Sequence, residues 1–399
     1  MGMRSVLAAA VLLLSAVRLC AGQALVPGVM IFGDSVVDAG NNNRLATLVR
    51  ADFPPYGRDF PTTHAPTGRF CNGKLATDYT VENLGLSSYP PAYLSEEAQS
   101  NNKSLLHGAN FASGAAGYLD ATAALYVSAF ALQQRHAGAA PHARVLTALD
   151  FISKCECCAA SLTLLITSCV QGAISLSRQL DYFREYQSRV AASAGAQRAA
   201  ALTSGSIYVV SAGTSDYVQN YYVNPVLAAT YTPDQFSDAL MQPFTAFVEN
   251  LYGLGARRIG VTSLPPMGCL PASVTLFGGG GSNGGCVERL NNDSLIFNRK
   301  LGAAADAVKR QHPDLKLVVF DIYQPLLDLV SNPTSAGFFE SRRACCGTGT
   351  IETSVLCHQG APGTCINATG YVFWDGFHPT DAANKVLADS LLIQGLQLI

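Results

Sequence analysis

Residues 27–43 read Pro-Gly-Val-Met-Ile-Phe-Gly-Asp-Ser-Val-Val-Asp-Ala-Gly-Asn-Asn-Asn. An apolar run ends at Gly33-Asp34-Ser35 and then gives way to Asp, Gly and Asn, a pattern that predicts a buried strand followed directly by a polar loop. Gly-Asp-Ser is also an ordinary turn tripeptide. A strand that presents one serine at the start of a loop is nevertheless typical of a nucleophile, and Ser35 is therefore a candidate.

A second motif lies near the other end of the chain, where residues 373–379 read Phe-Trp-Asp-Gly-Phe-His-Pro. Asp375 precedes His378 by three residues, so its carboxylate can accept the imidazole N–H locally. That bond fixes the tautomer whose other nitrogen is free to take a serine proton. Ser35, His378 and Asp375 are thus candidates for nucleophile, base and orienting acid. Thr380 after Pro379 predicts the start of a final helix.

These motifs carry a family resemblance. The chain resembles the secreted plant GDSL-type esterase/lipases of the SGNH hydrolase superfamily over residues 32–42, 107–114, 211–217 and 374–379. The similarity extends from about residue 26 to the C terminus with one interruption. It implies a Ser35, Asp375, His378 triad and an oxyanion hole formed by the Ser35 and Gly108 backbone N–H groups with a third donor. It also implies a carboxylic ester hydrolase, with a lipid, cutin-like or acetylated-glycan ester as substrate. No metal or cofactor is required.

The third donor is a departure from the family pattern. Residues 213–216 read Gly-Thr-Ser-Asp where the family usually has Gly-x-Asn-Asp. An Asn amide reaches further than a serine hydroxyl, so Ser215 is assigned to this position as a shorter donor. The change also leaves an alternative open, namely a catalytically weak or inactive relative that binds a glycan or lipid in the same cleft.

The composition favours small or neutral partners. The chain has 399 residues, 49% of them hydrophobic and 14% charged, with a net charge of −2. It lacks the basic field that nucleic acid requires and a polybasic patch for a membrane surface. The expected partner is a small-molecule or polymer ester. No internal repeat or interdomain linker appears, which predicts one hydrolase domain over residues 23–399.

The N-terminal residues predict secretion. Residues 1–22 contain Arg4, an apolar run over 6–17 and a small-residue cleavage site at 20–22, as in a signal peptide. The apolar run is shorter than the roughly 20 residues that span a bilayer. Asn102, Asn292 and Asn367 begin N-glycosylation sequons. We therefore expect an extracellular protein of the cell wall or apoplast.

Apolar runs at 207–210, 258–264 and 315–320 predict further buried strands. Helical patterns alternate with them at 74–84, from 173 past 190, and at 288–310. This order predicts an α/β fold, a three-layer α/β/α arrangement with a mostly parallel sheet. Ligand sites in such sheets lie at the carboxyl ends of the strands, where Ser35, Gly108 and Ser215 are expected.

The cysteines outside the signal peptide and residues 127–171 number seven, so one thiol is expected to be unpaired. Cys71 is the predicted free thiol. Cys269 and Cys286 flank a glycine-rich run that matches both G-x-S-x-G and G-x-G-x-x-G, and a disulfide-clasped surface loop is the preferred interpretation. Bridges among the cysteines of residues 345–365 are expected to position the Asp-His segment.

Residues 127–171 do not resemble the family. They contain Cys155, Cys157, Cys158 and Cys169 and end in an uncharged run. A zinc site or a membrane span would be functional interpretations, but the cysteine spacing fits no common zinc site, and the run lies inside a catalytic domain. We favour a translated intron that leaves the hydrolase domain intact, and an unproductive splice form of such an esterase stays an alternative. Val127-Ser128 can be encoded as GTG-AGT, a splice donor, and Gln171-Gly172 as CAG-G, an acceptor.

Overall fold

A computed structural model describes residues 24–124, 172–278 and 285–399. The predicted signal peptide, residues 127–171 and the glycine-rich run at 279–284 lie outside the described residues. The predictions made for these three segments therefore remain predictions.

The central element is a five-stranded sheet with the order β2-β1-β3-β4-β5. All of its described strand pairs are parallel. Its strands are β1 Val29–Gly33, β2 Gly108–Asn110, β3 Ile207–Ser211, β4 Arg258–Thr262 and β5 Lys316–Phe320. The chain moves from β1 outward to β2 and then returns to the other side of β1 with β3. The strand order therefore reverses beside β1, and ligands bind at such a reversal in doubly wound sheets.

Helices cover both faces of the sheet. Within the described residues, the helices are α1 Ala76–Asn83, α2 Glu96–Ser100, α3 Leu176–Ala194, α4 Ala196–Gly205, α5 Pro225–Thr230, α6 Pro233–Gly253, α7 Pro271–Phe277, α8 Glu288–Gln311, α9 Tyr323–Ser331 and α10 Asp381–Gly395. A short π-helical turn, Asp216–Tyr221, follows β3. The three-layer α/β/α fold with a parallel sheet is confirmed.

Local sequence signals explain where the main helices begin. The Ser175 hydroxyl accepts the Arg178 N–H and caps α3. The Thr380 hydroxyl accepts the Ala383 N–H and caps α10. Such caps satisfy N–H groups that have no partner inside the helix. A capping box between Thr232 and Gln235 begins α6, a helix that the sequence analysis did not identify.

The two sheet faces have separate cores. The first face packs into a large cluster that also contains buried side chains of α3, α6 and α8. The strand residues in this cluster include Met30, Phe32, Tyr208 and Val210. Their alternating neighbours on the second face pack in a smaller cluster with residues near α1 and α10; these neighbours are Val29, Ile31, Ile207 and Val209. The alternation follows from the two-residue side-chain period of a strand.

A second, two-stranded sheet precedes α10. It pairs β6 Glu340–Ala344 with β7 Tyr371–Phe373. Disulfides Cys345–Cys365 and Cys346–Cys357 cross the long connection between these strands. Cys269 pairs with Cys286, and Cys71 is free and buried. The predictions of the Cys269–Cys286 bridge and of a free Cys71 are confirmed.

Candidate active site

Ser35 lies just beyond the carboxyl end of β1, and the end of that strand is held rigidly. The side-chain amide of Gln179 in α3 bonds both the N–H and the C=O of Gly33, each at 2.9 Å. Gly33 has φ +136°, and a Cβ there would lie 1.9 Å from the Ser211 carbonyl oxygen. Only glycine can adopt this φ angle and leave room for the Ser211 carbonyl oxygen. The backbone that carries Ser35 is therefore fixed by α3 and by β3.

The structure brings Ser35, His378 and Asp375 into one line of hydrogen bonds. The Ser35 hydroxyl lies 2.7 Å from His378 Nε2. His378 Nδ1 donates to the Asp375 carboxylate, with 2.7 Å to Oδ1 and 2.9 Å to Oδ2. Asp375 is 0% exposed, and His378 and Ser35 are 5% and 8% exposed. These are the distances and burial that proton transfer between a hydroxyl and an imidazole requires.

Asp375 receives four further hydrogen bonds. The Tyr56 hydroxyl donates to Oδ2 at 2.7 Å and the Thr353 hydroxyl at 3.0 Å. The backbone N–H groups of Phe377 and His378 both donate to Oδ1 at 2.9 Å. These donors hold the carboxylate in a fixed orientation beside the His378 imidazole.

Tyr56 is itself fixed and protonated. Its hydroxyl accepts the Ser354 N–H at 2.7 Å while it donates to Asp375. Burial, and next the neighbouring Asp375 carboxylate, raise the pKa of Tyr56 well above its ordinary value of 10.0. Tyr56 therefore remains a hydrogen-bond donor over the whole physiological pH range.

A cavity of about 30 Å³ opens beside the Ser35 hydroxyl. Ser35, His378 and Ser215 line it together with the side chains of Val49, Phe70, Thr214, Val218, Phe377 and Ser354, among others. Its walls come from the loops after β1 and β3, the Thr353-Ser354 turn and the segment before α10. The site is thus assembled at the carboxyl ends of β1 and β3, where the strand order reverses.

Two potential oxyanion donors belong to residues that line the site. Among the described residues, no acceptor bonds the Ser35 backbone N–H. Ser215 follows β3, is 3% exposed and lines the same cavity as Ser35. Both groups are therefore available to an oxyanion that forms beside Ser35.

Gly108 does not lie at the site. It begins β2 and pairs with Val29, the first residue of β1, whereas Ser35 lies two residues beyond Gly33, the last residue of β1. Four residues of strand, roughly 13 Å at about 3.3 Å each, separate Gly33 from Val29. The expectation that Gly108 lies at the carboxyl end of a strand is wrong. Gly108 is the first residue of β2, so it lies at the opposite end of the sheet from Ser35.

The segment that does reach the carboxyl end of β1 is residues 113–115. The Ser113 N–H donates to the Gly33 carbonyl at 3.0 Å, and the Gly114 N–H donates to Asp38 at 3.0 Å. Ala115 has φ +70°, and no acceptor bonds its N–H among the described residues. Ser113 and Gly114 belong to the motif at residues 107–114, from which the family resemblance implied Gly108 as the donor.

Three buried aspartates surround the site without joining the triad. Burial raises the pKa of Asp34 to about 7, and of Asp38 and Asp216 to about 6. Asp38 accepts the N–H groups of Gly40, Asn41 and Gly114, at 2.7, 2.8 and 3.0 Å. These bonds partly offset the cost of burial and shape the loop after Ser35.

Other donors to the site were missed from the sequence. Tyr56 and Thr353 donate to Asp375 over separations of 319 and 22 residues. Gln179 donates to Gly33 over a separation of 146 residues. The only signal available for Tyr56 was its position in the turn-rich Pro54-Pro55-Tyr56-Gly57 stretch. A contact over such separations leaves no local spacing to detect.

The three sequons differ in accessibility. Asn292 and Asn367 are exposed, and Asn102 is partly buried. The Asn102 side chain accepts hydrogen bonds from the Arg189 guanidinium at 3.1 and 2.8 Å. Glycosylation at the three positions remains a prediction.

Comparison with known proteins identifies the family. The model of the GDSL-like lipase/acylhydrolase family matches residues 29–391. The chain belongs to this family. A GDSL esterase/lipase of Arabidopsis thaliana is 53% identical over 95% of this chain and 93% of its own length. A second from Arabidopsis thaliana is 52% identical over 98% and 97% of the two chains. A third, named GDSL esterase/lipase APG, also from Arabidopsis thaliana, is 51% identical over 94% and 92%.

As a GDSL-family member, the protein is a carboxylic ester hydrolase of the plant GDSL type. The resemblance expected from the four sequence motifs is confirmed. Within the three described ranges, no helix is long and apolar enough to span a membrane. The same ranges contain no cluster of three or more metal-ligating side chains.

Proposed function

We propose that the protein is a secreted serine esterase that acts through an acyl-serine intermediate, with Ser35 as nucleophile, His378 as general base and Asp375 as orienting carboxylate. The observation that carries the proposal is the hydrogen-bonded line from Ser35 through His378 to Asp375, with both links at 2.7 Å. A nucleophile bonded to a base that is oriented by a third group is the arrangement from which triad catalysis is recognised.

In the first half of the reaction, the Ser35 oxygen attacks the ester carbonyl carbon while its proton passes to His378 Nε2. A tetrahedral intermediate forms, and its negative oxygen is stabilised by the Ser35 N–H and the Ser215 hydroxyl. The bond from carbon to the alcohol oxygen then breaks, and His378 returns the proton to that oxygen. The products are a free alcohol and acyl-Ser35.

In the second half, water replaces the alcohol. His378 takes a proton from the water, whose oxygen attacks the acyl carbon. The bond to Ser35 breaks as His378 returns the proton to the serine oxygen, and a carboxylic acid leaves. Asp375 remains charged throughout and stabilises the imidazolium that forms in each half.

Secretion is supported by the three disulfides, because such bridges persist in oxidising compartments. The predicted signal peptide at 1–22 and the sequons at Asn292 and Asn367 are consistent with the same location, in the cell wall or apoplast. The substrate is an ester of a lipid, a cutin-like polymer or an acetylated glycan.

Labelling by a fluorophosphonate probe tests the mechanism. We expect the full chain to be labelled, and Ser35→Ala and His378→Ala to lose labelling and to lose short p-nitrophenyl ester hydrolysis by roughly 10⁴-fold or more. Asp375→Asn should retain more activity. Ser206→Ala is the matched control, since the Ser206 hydroxyl is buried without a partner among the described residues.

Three results would contradict the proposal. Full activity in Ser35→Ala would exclude this serine as nucleophile. Absence of both labelling and hydrolysis in the folded, unaltered chain would favour the alternative, a binding relative that uses the same cleft. A rate that does not fall on the acid side would argue against a histidine base, because only the neutral imidazole accepts a proton.

A further inference from the structure

A second and larger cavity, of about 120 Å³, lies next to the catalytic one. We call it the α10 cavity. It runs between the second face of the sheet, formed here by β3, β4 and β5, and one side of α10, with α1 closing it further along. The side chains that α10 contributes follow helical spacing, and the apolar ones are Leu387, Ala388, Leu391 and Leu392.

The exposure of the strands supports a gap on this face. On the first face, the central side chains Tyr208, Val210 and Val261 are all 0% exposed. On the second face, Val209 and Phe320 are each 7% exposed although helices cover them. The layer of α10 therefore does not close against the sheet as the layer of α6 and α8 does.

The α10 cavity adjoins the catalytic cavity. Val36, Thr214 and Phe377 line both of them. Val36 directly follows the proposed nucleophile, and Phe377 directly precedes His378. An acyl group on Ser35 would therefore begin directly beside the α10 cavity.

Building on the proposed esterase function, we propose that the α10 cavity binds the acyl chain of the substrate and that the enzyme prefers esters of medium-chain fatty acids. In this arrangement the carbonyl carbon lies at Ser35 and the alkyl chain extends along β3 beneath α10. The alcohol portion remains in the smaller cavity near Phe70 and Ser354.

The chemistry of the lining selects an alkyl chain over a polar group. The Thr262 hydroxyl donates to Ser211 at 3.1 Å, and the Ser263 hydroxyl accepts the Ile322 N–H at 3.0 Å. The Asn384 amide donates to the Lys74 carbonyl at 3.0 Å. These polar groups already have protein partners, while the rest of the lining is largely aliphatic. A sugar hydroxyl placed here would lose its water without gaining a bond.

The size of the α10 cavity sets the chain length. One water-sized group occupies about 10–15 Å³ of cavity volume. The 120 Å³ of the α10 cavity therefore holds roughly ten groups of that size. The lining follows β3 from Ile207 to Ser211, roughly 13 Å at about 3.3 Å per residue. An alkyl chain of about ten carbons, with bonds of about 1.5 Å, spans a similar distance.

Chain-length profiles test this assignment. We would measure kcat/KM of the full chain for p-nitrophenyl acetate, butyrate, hexanoate and decanoate. Each methylene buried in an apolar site raises kcat/KM by up to roughly fourfold. We therefore expect decanoate to exceed acetate by about a hundredfold or more.

Variants then locate the acyl site. Ala388→Phe fills the α10 cavity and should lower the decanoate-to-acetate ratio at least tenfold, with Ala388→Leu intermediate. Ala192→Phe is the matched control, because it adds the same ring at an exposed position of α3 and should leave the ratio unchanged. Thermal unfolding would verify that each variant is folded.

The unaltered protein provides a test that needs no variant. A decyl fluorophosphonate should inactivate it at least tenfold faster than an ethyl one. Ser35-dependent hydrolysis with equal rates for acetate and decanoate, or an unchanged ratio in folded Ala388→Phe, would overturn the acyl site and leave the serine esterase intact. If the unaltered protein hydrolysed none of the four esters in a Ser35-dependent way, the proposed function itself would be overturned.

Discussion

The Asp375 carboxylate depends on donors that come from distant parts of the chain. Tyr56 and Thr353 both donate to Oδ2, while His378 Nδ1 contacts both carboxylate oxygens. Hydrogen bonds to a charged group are each worth about 1.5–3 kcal/mol. Tyr56 therefore acts as a positioning residue, through Asp375 and not on the substrate.

Replacing Tyr56 by phenylalanine tests this role. We expect Tyr56→Phe to lower kcat by roughly tenfold while KM changes little, because the orientation of Asp375 affects proton transfer and not ester binding. Steady-state kinetics with a short ester would measure both constants. Tyr118→Phe is the control, since the Tyr118 hydroxyl has no hydrogen-bond partner within the described ranges. Equal effects of the two substitutions would contradict the role given to Tyr56.

Substitutions of Ser215 test whether its hydroxyl belongs to the oxyanion hole. Removing its hydroxyl in Ser215→Ala should lower kcat by about 10²–10³-fold if it donates to the developing charge. Ser215→Asn restores a donor of longer reach and should change kcat with little effect on KM, because the donor acts mainly in the transition state. Rates unchanged in both variants would mean that Ser215 does not face the oxyanion.

Asp34 makes stability depend on pH. Burial raises its pKa to about 7 from an ordinary value of 3.8, so the folded state holds the proton more tightly than the unfolded chain. Its contribution to stability is fully present below about pH 4 and is lost as pH rises toward 7, at no more than about 1.4 kcal/mol per pH unit.

Asp34→Asn removes this titration and can still accept the Val36 N–H. We expect the free energy of unfolding of the natural chain, relative to Asp34→Asn, to fall between pH 4.5 and pH 7. Urea unfolding at the two pH values would measure it. Because Asp38 and Asp216 are present in both proteins, the difference isolates Asp34. A difference that does not change with pH would contradict the assignment.

At the scale of elements, the connection between β6 and β7 supports the triad. The Cys346–Cys357 bridge closes a segment of 11 residues that contains Thr353 and Ser354. Thr353 donates to Asp375, and the Ser354 N–H donates to Tyr56. This disulfide therefore stabilises the part of the chain that orients the acid.

Removing the bridge should affect both stability and rate. The double variant Cys346→Ala, Cys357→Ala is expected to lose about 3 kcal/mol of stability, the entropic value for a loop of this length. We expect kcat to fall as well, because Thr353 loses its fixed position. The Cys269–Cys286 bridge spans 17 residues away from the triad, and its removal should reduce stability by a similar amount with a smaller effect on kcat. Identical kinetics in the two double variants would contradict the role of the β6–β7 connection.

At the scale of the whole molecule, the two ends that flank residues 125–171 meet. The Ala173 N–H donates to the Ala123 carbonyl at 2.9 Å. A Cβ on Gly172 would lie 3.1 Å from the Ala124 Cα atom. If residues 127–171 were absent, Leu125 and Tyr126 would join Ala124 to Gly172 across a distance that a four-residue β-turn spans.

We therefore expect a variant that lacks residues 127–171 to fold, to be secreted better and to be at least as active. Shortening the connection lowers its closure entropy by roughly 2–3 kcal/mol and removes four cysteines that can form wrong disulfides. Secretion yield, thermal unfolding and kcat/KM would be compared with the full chain. An inactive or unfolded deletion variant would contradict a translated intron, as would a gene without GT after the Tyr126 codon and AG before that of Gly172.

The sequence alone determined the features that depend on local spacing. Apolar periodicity predicts the strands that begin near residues 207, 258 and 315. The same periodicity, together with caps such as Thr380, predicts the helices that begin near residues 76, 176, 288 and 381. The candidate triad could be identified because Asp375 and His378 are three residues apart and Ser35 ends an apolar strand. The Cys269–Cys286 bridge was identified because the two cysteines flank one loop.

Only the tertiary structure decided the contacts that no local pattern records. β2 is three residues long, and whether Gly108 lies at its start or beyond its end depends on the register with Val29. Tyr56 reaches Asp375 across 319 residues. The α10 cavity exists because α10 and the sheet do not close fully against each other, a property of packing between layers that side-chain periodicity cannot specify.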